Sequence, residues 1–166
     1  MKRKLLKIAL GLCLAVCMLP DMANAAEADI AIDETTFPDV NFRSYIKTNF
    51  DTDKDGSLGA EEISNITSIN LNKKNISTLK GIEYFTELQE LLCYSNNLTE
   101  LDLSKNTKLG RLDCSYNKLT KLDVSKAAKL YNLNCQHNAL TELDLSQNTE
   151  LREIAYGYNQ LTSLDV

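Results

Sequence analysis

Residues 51–62 read Asp-Thr-Asp-Lys-Asp-Gly-Ser-Leu-Gly-Ala-Glu-Glu, a spacing suited to holding a hard divalent cation. Calcium takes six to eight oxygens, and alternate residues of a tight twelve-residue loop aim theirs at one centre. Asp51, Asp53 and Asp55 stand at places 1, 3 and 5. Gly56 at place 6 permits the sharp turn, Ser57 at place 7 offers its backbone carbonyl, and Glu62 at place 12 supplies a bidentate carboxylate. Gly59 at place 9 carries no side-chain oxygen, which leaves that place to a water. Leu58 at place 8 is expected to point inward. Four carboxylates this close repel one another unless a cation lies between them. The competing reading is a solvated acidic turn before a helix, but such turns rarely place Gly sixth and Glu twelfth together. The expected cofactor is Ca2+, with Asp51, Asp53, Asp55, Ser57 and Glu62 as its ligands.

Catalytic chemistry finds little to work with. His137 is the only histidine, so any Ser-His-Asp or Cys-His set would depend on it. No G-x-S-x-G turn and no phosphate loop is present. The chain reads as a non-enzyme, with a hydrolase dependent on His137 as the remote alternative.

The loop lies between two segments of helical character. Phe42, Ile46 and Phe50 recur every four residues with Tyr45 alongside, which gives one apolar helical face, and Pro38 suits its first turn. The helix after the loop must be short, because Ile66 already opens a different pattern. From Leu88 that pattern is a sentence of 21 residues, restarting at Leu109, Leu130 and Leu151. A repeat this strict predicts a solenoid whose coils touch only their neighbours. Counting Leu88 as position 1, apolar residues recur at positions 1, 4, 6, 11, 14 and 16. The two L-x-L triplets predict two short extended segments per coil, stacked as parallel strands about 4.8 Å apart.

Three columns follow from the register. Position 9 carries Asn96, Asn117, Asn138 and Asn159, whose amides can tie each turn to the backbone next door. Position 6 carries Cys93, Cys114 and Cys135, an inward site. In-register parallel strands hold β-carbons about 5 Å apart, beyond the ~3.8 Å of a disulfide, so these read as buried, unreactive thiols. Position 15 carries Asp102, Asp123, Asp144 and Asp165, expected to satisfy turn amides. Alternating charges at position 13 (Glu100, Lys121, Glu142) are expected to help hold the coils in register.

The pattern LxxLxLxxNxLxxLDLxxN resembles the 21-residue bacterial leucine-rich repeat, in which both halves carry the L-x-L signature. Ile66–Glu87 looks like a degenerate leading copy in which Lys74 replaces the position-9 Asn. The loop at 51–62 resembles an EF-hand, and the layout as a whole resembles internalin-like surface proteins. The resemblance implies an α+β repeat architecture: a leucine-rich repeat β-solenoid with parallel strands, capped by a small EF-hand-like helix-loop-helix. Residues 1–25 read as a signal peptide, 26–65 as the cap, 66–87 as the degenerate repeat and 88–166 as the repeats, the last incomplete.

The signal peptide rests on Lys2, Arg3, Lys4 and Lys7, an apolar run at 8–19 too short to span a bilayer, and Ala23-Asn24-Ala25 as a cleavage site. The expected location is secreted or at a bacterial cell surface, with the periplasm as an alternative. Residues 26–166 carry 14 basic and 22 acidic residues, a net charge of about −8, which disfavours nucleic acid. No later apolar run is long enough to cross a membrane. Side chains at positions 3, 5, 7 and 8 are expected on the concave face. Tyr94, Arg111, Tyr116, Asn134, His137 and Tyr158 are the candidate contacts for a protein or glycan, since Tyr and Arg are over-represented at hot spots. The alternative is a structural spacer, or a fragment of a larger surface protein, with no ligand of its own. An uncapped last coil also predicts self-association.

Overall fold

The computed structural model describes residues 29–165, so the expected signal peptide lies outside the described residues. Five parallel strands form the main ladder: β3 (Ser68–Asn70), β4 (Glu90–Leu92), β5 (Arg111–Asp113), β6 (Asn132–Asn134) and β8 (Glu153–Ala155). The register pairs Ile69, Leu91, Leu112, Leu133 and Ile154, all at position 4 of the repeat. Sequence alternation sets this register, because a one-residue slip would turn every inward leucine to solvent. In the first full coil the six inward residues, Leu88, Leu91, Cys93, Leu98, Leu101 and Leu103, are all buried.

The second triplet departs from expectation. It forms a ladder only between β7 (Glu142–Asp144) and β9 (Ser163–Asp165). In earlier coils its leucines are buried without strand pairing. The charges at position 13 form no ion pair among the described residues. The two pairs found are Lys108 with Glu87, and Arg111 with Glu90 at 2.9 Å. Adjacent coils are pinned by charge at positions 3 and 21 of the repeat. Both pairs are solvent-exposed and contribute little each.

The cap is built from α1 (Val40–Asn49), the acidic loop and α2 (Ala60–Asn65). Helix α1 starts after Asp39, not at Pro38, because the Asp39 carboxylate accepts from the N–H groups of Asn41 and Phe42 at 2.9 and 3.0 Å. Its second oxygen accepts from Ser77 N and Oγ, both at 2.8 Å. One side chain therefore caps the helix and ties it to the first coil. Around it Phe37 packs edge-on to Phe42 and stacks near Phe85, across the same junction. Gly81 lies at φ +104°, and a β-carbon there would fall 2.3 Å from the Phe37 ring, so only glycine fits.

Burial pushes the Asp39 carboxyl up, but the hydrogen bonds from Ser77, Phe42 and Asn41 more than offset it and leave it below its ordinary value. A depressed folded pKa means stability present above the unfolded carboxylate pKa and lost as pH falls through the folded value. Asp39→Ala should cost about 2–4 kcal/mol at neutral pH, from the lost cap and the Ser77 bonds. The gap to the parent in urea titrations should narrow as pH falls below the ordinary carboxylate range, where the parent carboxyl protonates. A gap independent of pH would mean that the ionised form adds nothing.

Candidate functional site

Two features outside the apolar core carry chemistry. The first is the cap loop. Strand β2 (Ser57–Leu58) pairs antiparallel with β1 (Ile30–Ala31), and Ile32 N donates to Gly56 O at 3.0 Å. Leu58 is fully buried, so the loop hangs from the core by its place-8 residue. Gly56 takes φ +88° with open space around it, so the turn needs its backbone freedom and not its small size.

Carboxylate oxygens of Asp51, Asp53 and Asp55 lie within 4.8 Å of one another. Asp53 accepts from Asp55 N, and Asp55 accepts from Ser57 N and Oγ at 2.8 and 2.7 Å. Asp51 is only 5% exposed, and its Oδ1 is buried with no hydrogen-bond partner. Such an orphan is costly unless something polar meets it, and a hard cation is the partner this donor set suits. Glu62 stands apart from the cluster. Its Oε1 accepts from Thr52 N at 2.7 Å and Oγ1 at 2.6 Å, and its Oε2 accepts from Gly59 N at 3.0 Å. The Thr52 hydroxyl bond is the largest of the effects holding its carboxyl below the ordinary value. The loop thus brings three of the four expected carboxylates together, seats Ser57 against Asp55, and places Glu62 on the Thr52 and Gly59 amides.

The second feature is a column of rings. Tyr116 and His137 stack with centroids 4.0 Å apart, and His137 and Tyr158 stack at 4.0 Å and 8°. Tyr94 meets Tyr116 edge-on at 5.3 Å, and Lys73 Nζ lies 5.3 Å from the Tyr94 centroid. This ribbon runs along the turn that follows each strand, beside the strand ladder and not on it. Arg111 and Asn134 are separate from it. They sit on the strands, where Arg111 pairs with Glu90 and Asn134 bonds to Asp113 Oδ2 at 3.3 Å.

Position 8 has a property that alternation does not reveal. Lys73, Ser95, Tyr116, His137 and Tyr158 all adopt φ between 51° and 58°, the left-handed region. Non-glycine residues there cost about 1–2 kcal/mol each, so bulky rings at three successive coils are poor choices for folding alone. Their stacking returns about 0.5–1.5 kcal/mol per pair. Replacing Tyr116 and Tyr158 by Gly and His137 by Asn should therefore leave stability within about 1 kcal/mol of the parent. A loss of several kcal/mol in urea unfolding would make the rings structural.

Behind the ribbon lies a polar zipper. Asn117 Nδ2 donates to Cys93 O and Cys114 O, both at 3.0 Å, and Asn138 Nδ2 donates to Cys114 O and Cys135 O at 3.0 and 3.1 Å. Asn96 and Asn159 extend the chain on the Cys93 and Cys135 carbonyls. Each asparagine reaches back one coil: Asn96 Nδ2 donates to Leu71 O, and its Oδ1 accepts from Lys74 N and Ile76 N. The leading coil has only the cap behind it, which explains why Lys74 can replace Asn there.

Cys93, Cys114 and Cys135 are free and fully buried. Burial pushes all three thiols up, Cys135 to about 12. A thiol reagent at neutral pH should label the native chain far more slowly than the urea-unfolded chain, because the thiolate is the nucleophile. Equal rates would place the column at the surface. Asp102, Asp123 and Asp144 accept from the N–H of Ser104, Ser125 and Ser146 at 2.8–2.9 Å, within their own turns.

The final N of the repeat pattern, at position 19, forms a second asparagine column to which the sequence alone assigned no role. Asn106 Nδ2 donates to Ile82 O and Phe85 O, and Asn148 Nδ2 to Val124 O and Ala127 O. The signal was the shared position 19, but Ala127 interrupts the column in the middle coil.

No family model matches the chain. It is 42% identical over 71 residues to Internalin J of Listeria monocytogenes serotype 4b, a match spanning 43% of this chain and 8% of that protein. Internalin J of serovar 1/2a is 44% identical over the same length, again 8% of its own length. Among solved structures, the functional domain of InlJ from Listeria monocytogenes superposes with a TM-score of 0.78 at 41% identity. That match covers 85% of this chain and 31% of the other, a domain that includes a cysteine ladder. A leucine-rich repeat protein of Leptospira interrogans is similar at a TM-score of 0.58 and 30% identity, over 63% of this chain and 29% of that one. The chain thus spans a small part of the relatives it matches.

Proposed function

From the premise that the chain is an internalin-like bacterial leucine-rich repeat protein, we propose that it is an exported binding protein that takes a protein partner along the Tyr94–Tyr116–His137–Tyr158 ribbon. Its work is recognition and not catalysis. The observation that carries the reading is the run of stacked rings held at left-handed backbone positions, with Tyr116 and Tyr158 49% and 74% exposed. Strain kept where it does not serve folding clusters at functional sites. Exposed tyrosines on a rigid scaffold give large contact area at little entropic cost. Export rests on the leader-like segment at 1–25. Among the described residues no helix is long and apolar enough to cross a membrane.

The test is a selection of binders from a random peptide library against residues 26–166. Selected binders should compete with one another and lose about tenfold or more in affinity for the chain carrying Tyr116→Ala, His137→Ala and Tyr158→Ala. Binders that ignore the triple variant would remove the ribbon as the partner face. Ribbon-dependent binding to a glycan array in place of peptides would move the ligand to sugars.

The reading extends to calcium. The buried, partnerless Asp51 Oδ1 and the convergence of Asp51, Asp53 and Asp55 support a cation that braces the cap.

A further inference from the structure

Resting on the ribbon as the partner face, we propose that its ligand is an acidic segment of a protein, laid along the ring edges. The turns that build the ribbon are residues 72–75, 94–97, 115–118, 136–139 and 157–160. None contains Asp or Glu, although the chain holds 23 of them. The same turns contribute Lys73, Lys74 and Lys118. No carboxylate pairs with these lysines among the described residues, whose two ion pairs are Lys108–Glu87 and Arg111–Glu90. Lys73 and Lys74 instead lie 5.3 Å from the ring centroids of Tyr94 and Tyr45. Aromatic faces hold these cations in place without neutralising them.

The stacking decides which part of each ring a ligand meets. Neighbours 4.0 Å apart cover both faces of His137 and one face each of Tyr116 and Tyr158. Along the column the solvent meets ring edges, hydroxyls and the imidazole nitrogens. The edge of an aromatic ring is its electropositive part, so the column adds to the lysines in drawing acceptors and anions. A sugar seeks an open ring face for its C–H groups, and the interior of this column offers none. The chain as a whole is acidic, at −5, so an acidic ligand is favoured where acids are absent and lysines are present, as on the ribbon.

The test uses twelve-residue peptides displayed on phage, panned on residues 26–166 and counter-selected on the Tyr116→Ala, His137→Ala, Tyr158→Ala variant. Ribbon-dependent peptides should be rich in Asp and Glu. A synthetic copy of the best one should bind about tenfold more weakly to the Lys73→Gln, Lys118→Gln variant. A peptide copy with Asn and Gln in place of its acids should lose about as much, and both losses should shrink in high salt. The lysines are exposed, so the variant should melt with the parent, which a thermal scan checks. Ribbon-dependent peptides without acidic enrichment would overturn the charge assignment and leave the partner face standing. No ribbon-dependent peptides at all would overturn both. Polygalacturonate, a polyanionic sugar, binding more tightly than the acidic peptide would overturn the protein class.

Discussion

Asn117→Ala should destabilise the chain by about 2–4 kcal/mol in urea unfolding, while Asn148→Ala should cost about 1 kcal/mol or less. Both asparagines are buried and both have an Nδ2 that bridges two carbonyls, one in its own coil and one in the coil before for Asn117, both in the coil before for Asn148, and composition alone would rank them together. The difference lies in what each leaves behind. Asn117 Oδ1 accepts from the buried Leu98 N at 3.0 Å, and its loss strands that N–H. Its Nδ2 links Cys93 O to Cys114 O, so its loss also breaks the zipper in the middle. Each carbonyl is left with one asparagine donor, from Asn96 and Asn138. For Asn148 the affected carbonyls keep backbone partners, since Ala127 N donates to Val124 O and Leu130 N to Ala127 O. Its own Oδ1 is buried without a partner, so truncation removes an unmet acceptor along with the bonds. The middle coil already carries Ala127 at that position, and the stack closes around it. Equal costs for the two variants would mean that the zipper is no more than two independent hydrogen bonds.

The same contrast shows what the sequence could and could not disclose. The 21-residue period, the inward leucines, the thiol column and the position-9 amides were legible because each is a rule repeated every coil. The short α2 was legible because Ile66 leaves it no room. The features that join unlike parts were not legible. Asp39 meets Ser77 across 38 residues, and nothing local in either residue points to the other. The pairing of Ile30–Ala31 with the cap loop involves two residues with no alternation to read. The left-handed backbone at position 8 was hidden because the usual signal, glycine or asparagine, is absent there: the chain places Tyr and His where the turn would prefer neither. The proposed role of these positions in recognition rests on that choice of residues.

Calcium should raise the thermal midpoint of residues 26–166 by about 8 °C at a hundredfold excess over its dissociation constant. The linkage is RT ln(1 + [L]/Kd), about 2.7 kcal/mol at that ratio, and a chain of this size gains roughly 3 °C per kcal/mol. Chelator should return the midpoint to its starting value. Asp51→Asn should abolish the rise, because Asp51 is the buried member of the cluster and its Oδ1 has no other partner. The apo form of that variant should be no less stable than the apo parent, since the substitution relieves repulsion among three close carboxylates. Glu62→Ala separates two roles. The parent carboxylate holds Thr52 and Gly59, so its loss should lower the midpoint even in chelator, and the calcium response should fall on top of that. Magnesium should give a smaller rise, because it dehydrates reluctantly and demands a tighter octahedron than this open loop supplies. If Asp51→Asn raises the chelated midpoint and the parent shows no response to millimolar calcium, the acidic loop is a strained turn. Leu58 and the β1–β2 pairing would then carry the cap alone.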